Sequence, residues 1–164
     1  MFFSDIYSSV EQNQREKLSL LSERLDFSFL RGRILDIGCG TCVLESFLEE
    51  KGFDLSGFVC IDPDPKMLSQ NRSSARPVQA SYESFSPECE FDAVVCIDSI
   101  HLFKGDPARH LKKNGFLLAS IFFNPGNLEE KRRLLLKRLE SCEIVQELFI
   151  PAKESEFFVL ARKK

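Results

Sequence analysis

The run Ile34-Leu35-Asp36-Ile37-Gly38-Cys39-Gly40-Thr41-Cys42 concentrates the chemistry of this chain. An apolar stretch carries an acid, then comes Gly-x-Gly, then small and polar residues able to open a helix. That order predicts a strand, a tight turn and a helix start. The glycines let the backbone pass close to a ligand, and the helix start offers free N–H groups. A dinucleotide would bring its pyrophosphate to this turn, where the Asp36 carboxylate repels it. Asp36 suits a ligand with a cationic amine and no phosphate.

The elements that must hold this turn alternate along the chain. Apolar Ile6, Val10, Leu18, Leu21 and Leu25 among charges predict an amphipathic helix over residues 5–25, within an N-terminal helical cap of residues 1–28. Strands are expected at 33–37, 57–62, 77–80, 91–97 and 116–122. Helices are expected at 41–51, stopped by Gly52, and from Asp64-Pro65 to about Asn71. A short helix over 107–112 and a charged one over 127–140 follow, the latter with Leu128, Leu134, Leu135 and Leu139 inward. Strands at 143–150 and 156–162 flank Pro151–Ser155, the spacing of an antiparallel hairpin. Wholly apolar strands alternating with helices imply an α/β fold with a parallel sheet covered on both faces. Ligands bind such sheets beyond the carboxyl ends of the strands, at the switch point. Asp36, Asp62, Ser81 and Asp98 all fall at predicted strand ends.

At 164 residues the chain fits one domain, residues 1–164, with a full core. Its 25 acids against 22 bases do not favour a nucleic-acid-coating protein. The longest apolar runs fall short of the roughly 18 residues of a membrane span, and the N-terminus lacks a signal-peptide layout. The chain is read as cytoplasmic. Six cysteines without a disulfide-like framework fit a reducing compartment. Cys39-x-x-Cys42 suggests redox or zinc chemistry, but no second Cys or His pair stands at zinc spacing, so structural thiols and no metal are expected.

The pattern resembles the class I (Rossmann-like) S-adenosylmethionine-dependent methyltransferases. The resemblance rests on the glycine turn, on Val59–Leu68, on Phe91–Phe103 and on Leu111–Leu118. It implies a three-layer doubly wound sheet, mostly parallel with a C-terminal antiparallel hairpin, and S-adenosylmethionine as cofactor. Asp36 and the backbone of Gly38, Cys39 and Gly40 would surround the methionine part. Asp62 would accept both ribose hydroxyls, since a carboxylate offers two acceptor oxygens to a vicinal diol. Pro63 and Met67 would border the adenine. Ser81 and Tyr82 follow the third strand, where the family usually has an acid. The Ile97 carbonyl and Asp98 would face the methionyl amine or the methyl group. Cys42 stands where many members have glycine.

His101 is the catalytic candidate, because it follows the fourth strand and can take a proton near neutral pH. Its alternative is a solvated or packed histidine, and in-line transfer from a sulfonium can proceed by positioning alone. Tyr7 could line the pocket, and Phe2, Phe3, Phe27 and Phe29 could cover an apolar substrate. Residues 129–138 could bind RNA or form a solvated, ion-paired helix face. Asp98-Ser99-Ile100-His101 replaces an Asn-Pro-Pro-Tyr-like tetrad, which argues against methylation of adenine or glutamine amino groups. Pro87-Glu88-Cys89 is not a Pro-Cys nucleophile. The expected function is methyl transfer to a small molecule. The alternatives are a cofactor-binding subunit that activates a partner and, behind it, an NAD(P)-dependent oxidoreductase, disfavoured by Asp36 and by Val43 in place of a third glycine.

Overall fold

The computed structural model describes residues 2–164, with side chains from residue 9 onward. The side chains of Phe2, Phe3, Ile6 and Tyr7 lie outside the described residues. The elements in chain order are α1 (Phe2–Ser22), β1 (Ile34–Ile37), α2 (Val43–Glu50), β2 (Phe58–Asp62), α3 (Pro65–Leu68), β3 (Arg76–Gln79), β4 (Phe91–Cys96), β5 (Leu111–Phe122), α4 (Leu128–Arg138), β6 (Cys142–Ile150) and β7 (Glu156–Lys163). A single 3-10 turn at Phe27–Phe29 links α1 to β1.

The strands form one sheet in the order β3-β2-β1-β4-β5-β7-β6. Pairing is parallel from β3 to β5 and antiparallel for β7 against both β5 and β6. The direction of chain progression reverses between β1 and β4, which opens a crevice above their carboxyl ends. Val94, Val95 and Leu35 are fully buried, as strands covered on both faces require. One face packs on α1 and α2 through Leu18, Leu21, Phe47 and Leu48. The other packs on the α4 region through Leu135 and Leu139, on the segment after β3 through Tyr82 and on that after β4 through Phe103.

The expected helix over 107–112 does not form. Asp106 uses its carboxylate to accept the Ala108 N–H at 2.9 Å, and Leu111 pairs beside Phe91 as the first residue of β5. The Asn114-Gly115 turn is therefore a bulge inside β5 rather than its entrance. A side chain at Gly115 would stand 2.9 Å from the Asp92 carbonyl. The α3 helix ends at Leu68, short of Asn71, because the chain tightens: Gln70 and Asn71 donate to Met67 and Leu68, three residues back. In α4 Leu135 and Leu139 point inward, but Leu134 is 40% exposed, one residue and so about 100° off that stripe. Val10 is also exposed, and Leu25 is buried just past the end of α1. Two of the five bases of α4 are committed within the protein. Arg132 forms a two-pronged pair with Glu147, and Arg138 donates to the Ile100 and Gly105 carbonyls. Among the described residues no helix is long and apolar enough to cross a membrane.

Candidate functional site

The glycine turn leaves β1 with Gly38 at φ +72°. Its N–H donates to the Ile61 carbonyl at 2.8 Å, so the turn bends across the end of β2. Ser99, fully enclosed after β4, donates its hydroxyl to the Ile37 carbonyl at 2.6 Å. A Cβ at Gly38 would lie 2.6 Å from Ser99 Cβ, so only glycine fits. Three strand ends are thus pinned around one residue.

Asp62 closes β2. Its Oδ2 accepts the Gly40 N–H at 3.0 Å and its Oδ1 accepts the Asp64 N–H at 2.9 Å. Each oxygen keeps spare lone-pair capacity and a fixed direction. Asp64 caps α3 by accepting the Lys66 N–H at 2.8 Å, which leaves Asp62 free of that role.

Three clefts of about 480, 450 and 670 Å³ meet at Gly38. The first is lined by Asp36, Cys39, Ile97 and Asp98 and by Gln14, Lys17 and Glu156. The second is lined by Asp62, Pro63, Ser81 and Tyr82 with Ile61 and Leu102. The third is lined by Cys39, Gly40, Asp62, Met67, Ile97 and Asp98. Every cofactor residue expected from the sequence borders one of them. Tyr82 does so with its hydroxyl already committed to the Asp106 carbonyl at 2.6 Å and its ring between Phe103 and the Arg109 guanidinium. Ser81 bonds the Ser84 hydroxyl at 2.9 Å. His101 is different: it is exposed on the turn after β4 and borders none of these three clefts.

Sequence reasoning passed over several residues that build the site. Glu45, on the inner face of α2, is wholly buried. Burial raises its carboxyl to about 7, partly opposed by a bond to Asp36. Burial, and then the facing Glu45, hold Asp36 well above the usual carboxylate range. The two acids share one desolvated space beneath the glycine turn. An acid at position 45 inside Val43-Leu44-Glu45-Ser46-Phe47-Leu48 was a readable signal, since it interrupts a stripe bound for the core.

A buried ion pair forms the wall opposite. Lys17 Nζ lies 2.5 Å from Glu156 Oε2, close in space but poorly aligned as a hydrogen bond. Ser120 donates to Glu156 Oε1 and accepts the Asp98 N–H at 2.9 Å. Burial raises the Glu156 carboxyl, while the Lys17 charge pulls it down. Asp98 itself sits at φ +48°, a left-handed geometry held by this network.

The pair Cys39 and Cys42 gains a third member. Cys60 of β2 pairs beside Asp36 of β1, and the three sulfurs lie within 4.8 Å of one another. This proximity arises from the β1–β2 register, which no spacing along the chain reveals. The three thiols bond among themselves: Cys39, and then Cys60, lower the Cys42 thiol to about 4, and both donors are pushed up in return.

Comparison with known proteins places this geometry. The chain shares 42% identity over 82 residues with the protein named "Putative methyltransferase YqeM" of Bacillus subtilis (strain 168), a match covering 45% of this chain and 32% of that one. The chain thus matches about a third of the length of that curated relative. Among solved structures it resembles the N-methyltransferase NodS of Bradyrhizobium japonicum WM9 in complex with S-adenosylhomocysteine, with TM-score 0.67, 16% identity, and 92% and 86% of the two chains covered. It also resembles an S-adenosylmethionine-dependent methyltransferase of Thermotoga maritima, described as a possible histamine N-methyltransferase, with TM-score 0.68, 20% identity, and 99% and 96% covered. The magnesium protoporphyrin IX methyltransferase of Synechocystis PCC 6803 with bound S-adenosylhomocysteine gives TM-score 0.67 at 14% identity, over 100% and 88%. These likenesses establish the sheet and its switch point. The family model described as "Methyltransferase domain" matches residues 9–147, from α1 into β6, and the chain belongs to that family.

Proposed function

We propose that the protein transfers the methyl group of S-adenosylmethionine to a small-molecule acceptor. The observation that carries this reading is the buried carboxyl pair of Asp36 and Glu45 beneath the glycine turn. Two desolvated acids in contact resist joint ionisation unless a cation compensates them. A pyrophosphate adds charge of the wrong sign, whereas a ligand with an ammonium and a sulfonium supplies the right one. NodS and the Synechocystis enzyme, both crystallised with S-adenosylhomocysteine, support the same assignment.

When bound, S-adenosylmethionine supplies a methyl group on a sulfonium, open to in-line attack by an electron-rich acceptor atom. Asp62, aimed by the Gly40 and Asp64 N–H groups, accepts the ribose hydroxyls. Pro63, Met67, Ser81 and the Tyr82 ring border the adenine. Asp36, with the Ile97 carbonyl and Asp98, takes the methionyl amine. The acceptor enters the cleft walled by Gln14, Lys17 and Glu156, where orientation and exclusion of water do the work. His101 stands outside that cleft, so this reading assigns it no proton transfer.

Calorimetry with S-adenosylhomocysteine and with NADH on one sample tests the cofactor. Binding of the first and not the second is expected. Binding of NADH alone would overturn the reading.

A further inference from the structure

We propose that Cys39, Cys42 and Cys60, with the Glu45 carboxylate beside them, form a binding site for a thiophilic d10 cation, represented by Zn²⁺, on the underside of the glycine turn. Nothing in the methyl-transfer reading uses these thiols. They come from three elements: Cys39 from the turn, Cys42 from the cap of α2, and Cys60 from the middle of β2. Their sulfurs lie within 4.8 Å of one another. A Zn–S bond of about 2.3 Å sets the sulfurs of a tetrahedral site about 3.8 Å apart, so small rotations of side chains suffice.

The second observation is Glu45. It is completely buried, and neither carboxylate oxygen has a hydrogen bond of good geometry. The same carboxylate faces Cys42 and Cys60. A buried acid without a donor is costly, and a cation is the partner that would satisfy it together with three thiolates. Thiolate sulfur and carboxylate oxygen are both zinc donors, and soft thiolates select such ions over Mg²⁺ or Ca²⁺. Cys42 stands at the N-terminal cap of α2, where the unpaired N–H groups favour a thiolate. The ion would staple the glycine turn, α2 and β2 together. Cys39 borders two of the three clefts, so the staple lies one residue from the ligand.

The test is titration of the reduced full-length protein with Co²⁺, followed by displacement with Zn²⁺. One equivalent is expected to give an intense near-ultraviolet thiolate-to-cobalt band and tetrahedral visible bands, both lost on adding Zn²⁺. Cys39→Ser and Cys60→Ser are each expected to weaken binding by at least about tenfold, the smallest loss typical even of outer metal partners. Cys89→Ser, at an exposed thiol, leaves binding unchanged. Circular dichroism checks that each variant folds. Cys39 is only half-buried, so Cys39→Ser decides the matter if Cys60→Ser fails to fold. The absence of a charge-transfer band, or a band that survives Cys39→Ser at full strength, overturns the proposal. The readout involves no cofactor, so its failure leaves the methyltransferase reading standing, and the reverse holds.

Discussion

Gly40 donates its backbone N–H to Asp62 Oδ2 at 3.0 Å, which fastens the glycine turn after β1 to the acid that ends β2. The bond makes one carboxylate serve two ends. It shapes the turn and also presents its remaining lone pairs at the edge of the second and third clefts. Asp62→Ala is expected to weaken S-adenosylhomocysteine binding by about 1–3 kcal/mol, the range for hydrogen bonds to a charged group. Calorimetry reads the change directly. Unchanged affinity would remove the ribose assignment.

The buried acids predict a pH dependence of stability. Glu45 has a folded pKa of about 7 against an ordinary 4.5, so between those values the folded protein holds a proton that the unfolded chain releases. Raising the pH through that window therefore favours unfolding. The unliganded protein is expected to lose stability from about pH 4.5 to 7, by on the order of 3 kcal/mol at most. Glu45→Gln is expected to flatten the slope and to gain most at pH 8, Asp36 keeping its own share. Denaturant titrations at pH 5 and pH 8 check it. A wild-type stability that rises across the window would contradict the burial argument.

A cationic group is expected to displace a proton from the neighbouring buried acid as well. Burial, and then the facing Glu45, raise the Asp36 carboxyl well above its usual range, and an ammonium group stabilises its charged form. Where Asp36 carries a proton in the free protein, binding of S-adenosylhomocysteine releases it, and affinity rises with pH. Calorimetry in two buffers of different ionisation enthalpy measures the release. Asp36→Asn is expected to abolish it, and an equal release from that variant would place the proton elsewhere.

Lys17 and Glu156 are 139 positions apart and meet inside the molecule at 2.5 Å. Removing one partner strands a buried charge. Lys17→Met is expected to cost about 3–5 kcal/mol, and the double variant Lys17→Met with Glu156→Leu much less. Thermal unfolding of the two single variants and the double variant gives the coupling. Simple additivity would mean that the pair is not one unit.

These residues also mark what a linear sequence can disclose. The acids Asp36, Asp62 and Asp98 were legible because parallel strands put their carboxyl ends at one edge, and each acid follows an apolar run. Cys60 was not legible, because only the β1–β2 register sets it beside Asp36. The early start of β5 was hidden by Asn114-Gly115, which reads as a turn between elements but is a bulge within one. Lys17 and Glu156 each look like surface charges until α1 and β7 are packed together. Periodicity identifies elements, whereas register and packing decide which of their side chains touch.

His101 lies outside all three clefts. Its side chain is exposed, and the turn that carries it is anchored elsewhere, by Ser99 on the Ile37 carbonyl and by Arg138 on the Ile100 carbonyl. His101→Ala therefore leaves that anchoring intact, and S-adenosylhomocysteine affinity is expected to stay within about 0.5 kcal/mol of the parent, as for ordinary surface substitutions. Turnover should be equally unaffected if positioning alone drives transfer, because an imidazole in water is no nearer the reacting atoms than bulk buffer. A fall in kcat at constant affinity would instead bring His101 into the cleft during catalysis. That result would require the turn after β4 to close over the acceptor, and single-turnover kinetics across pH would detect it.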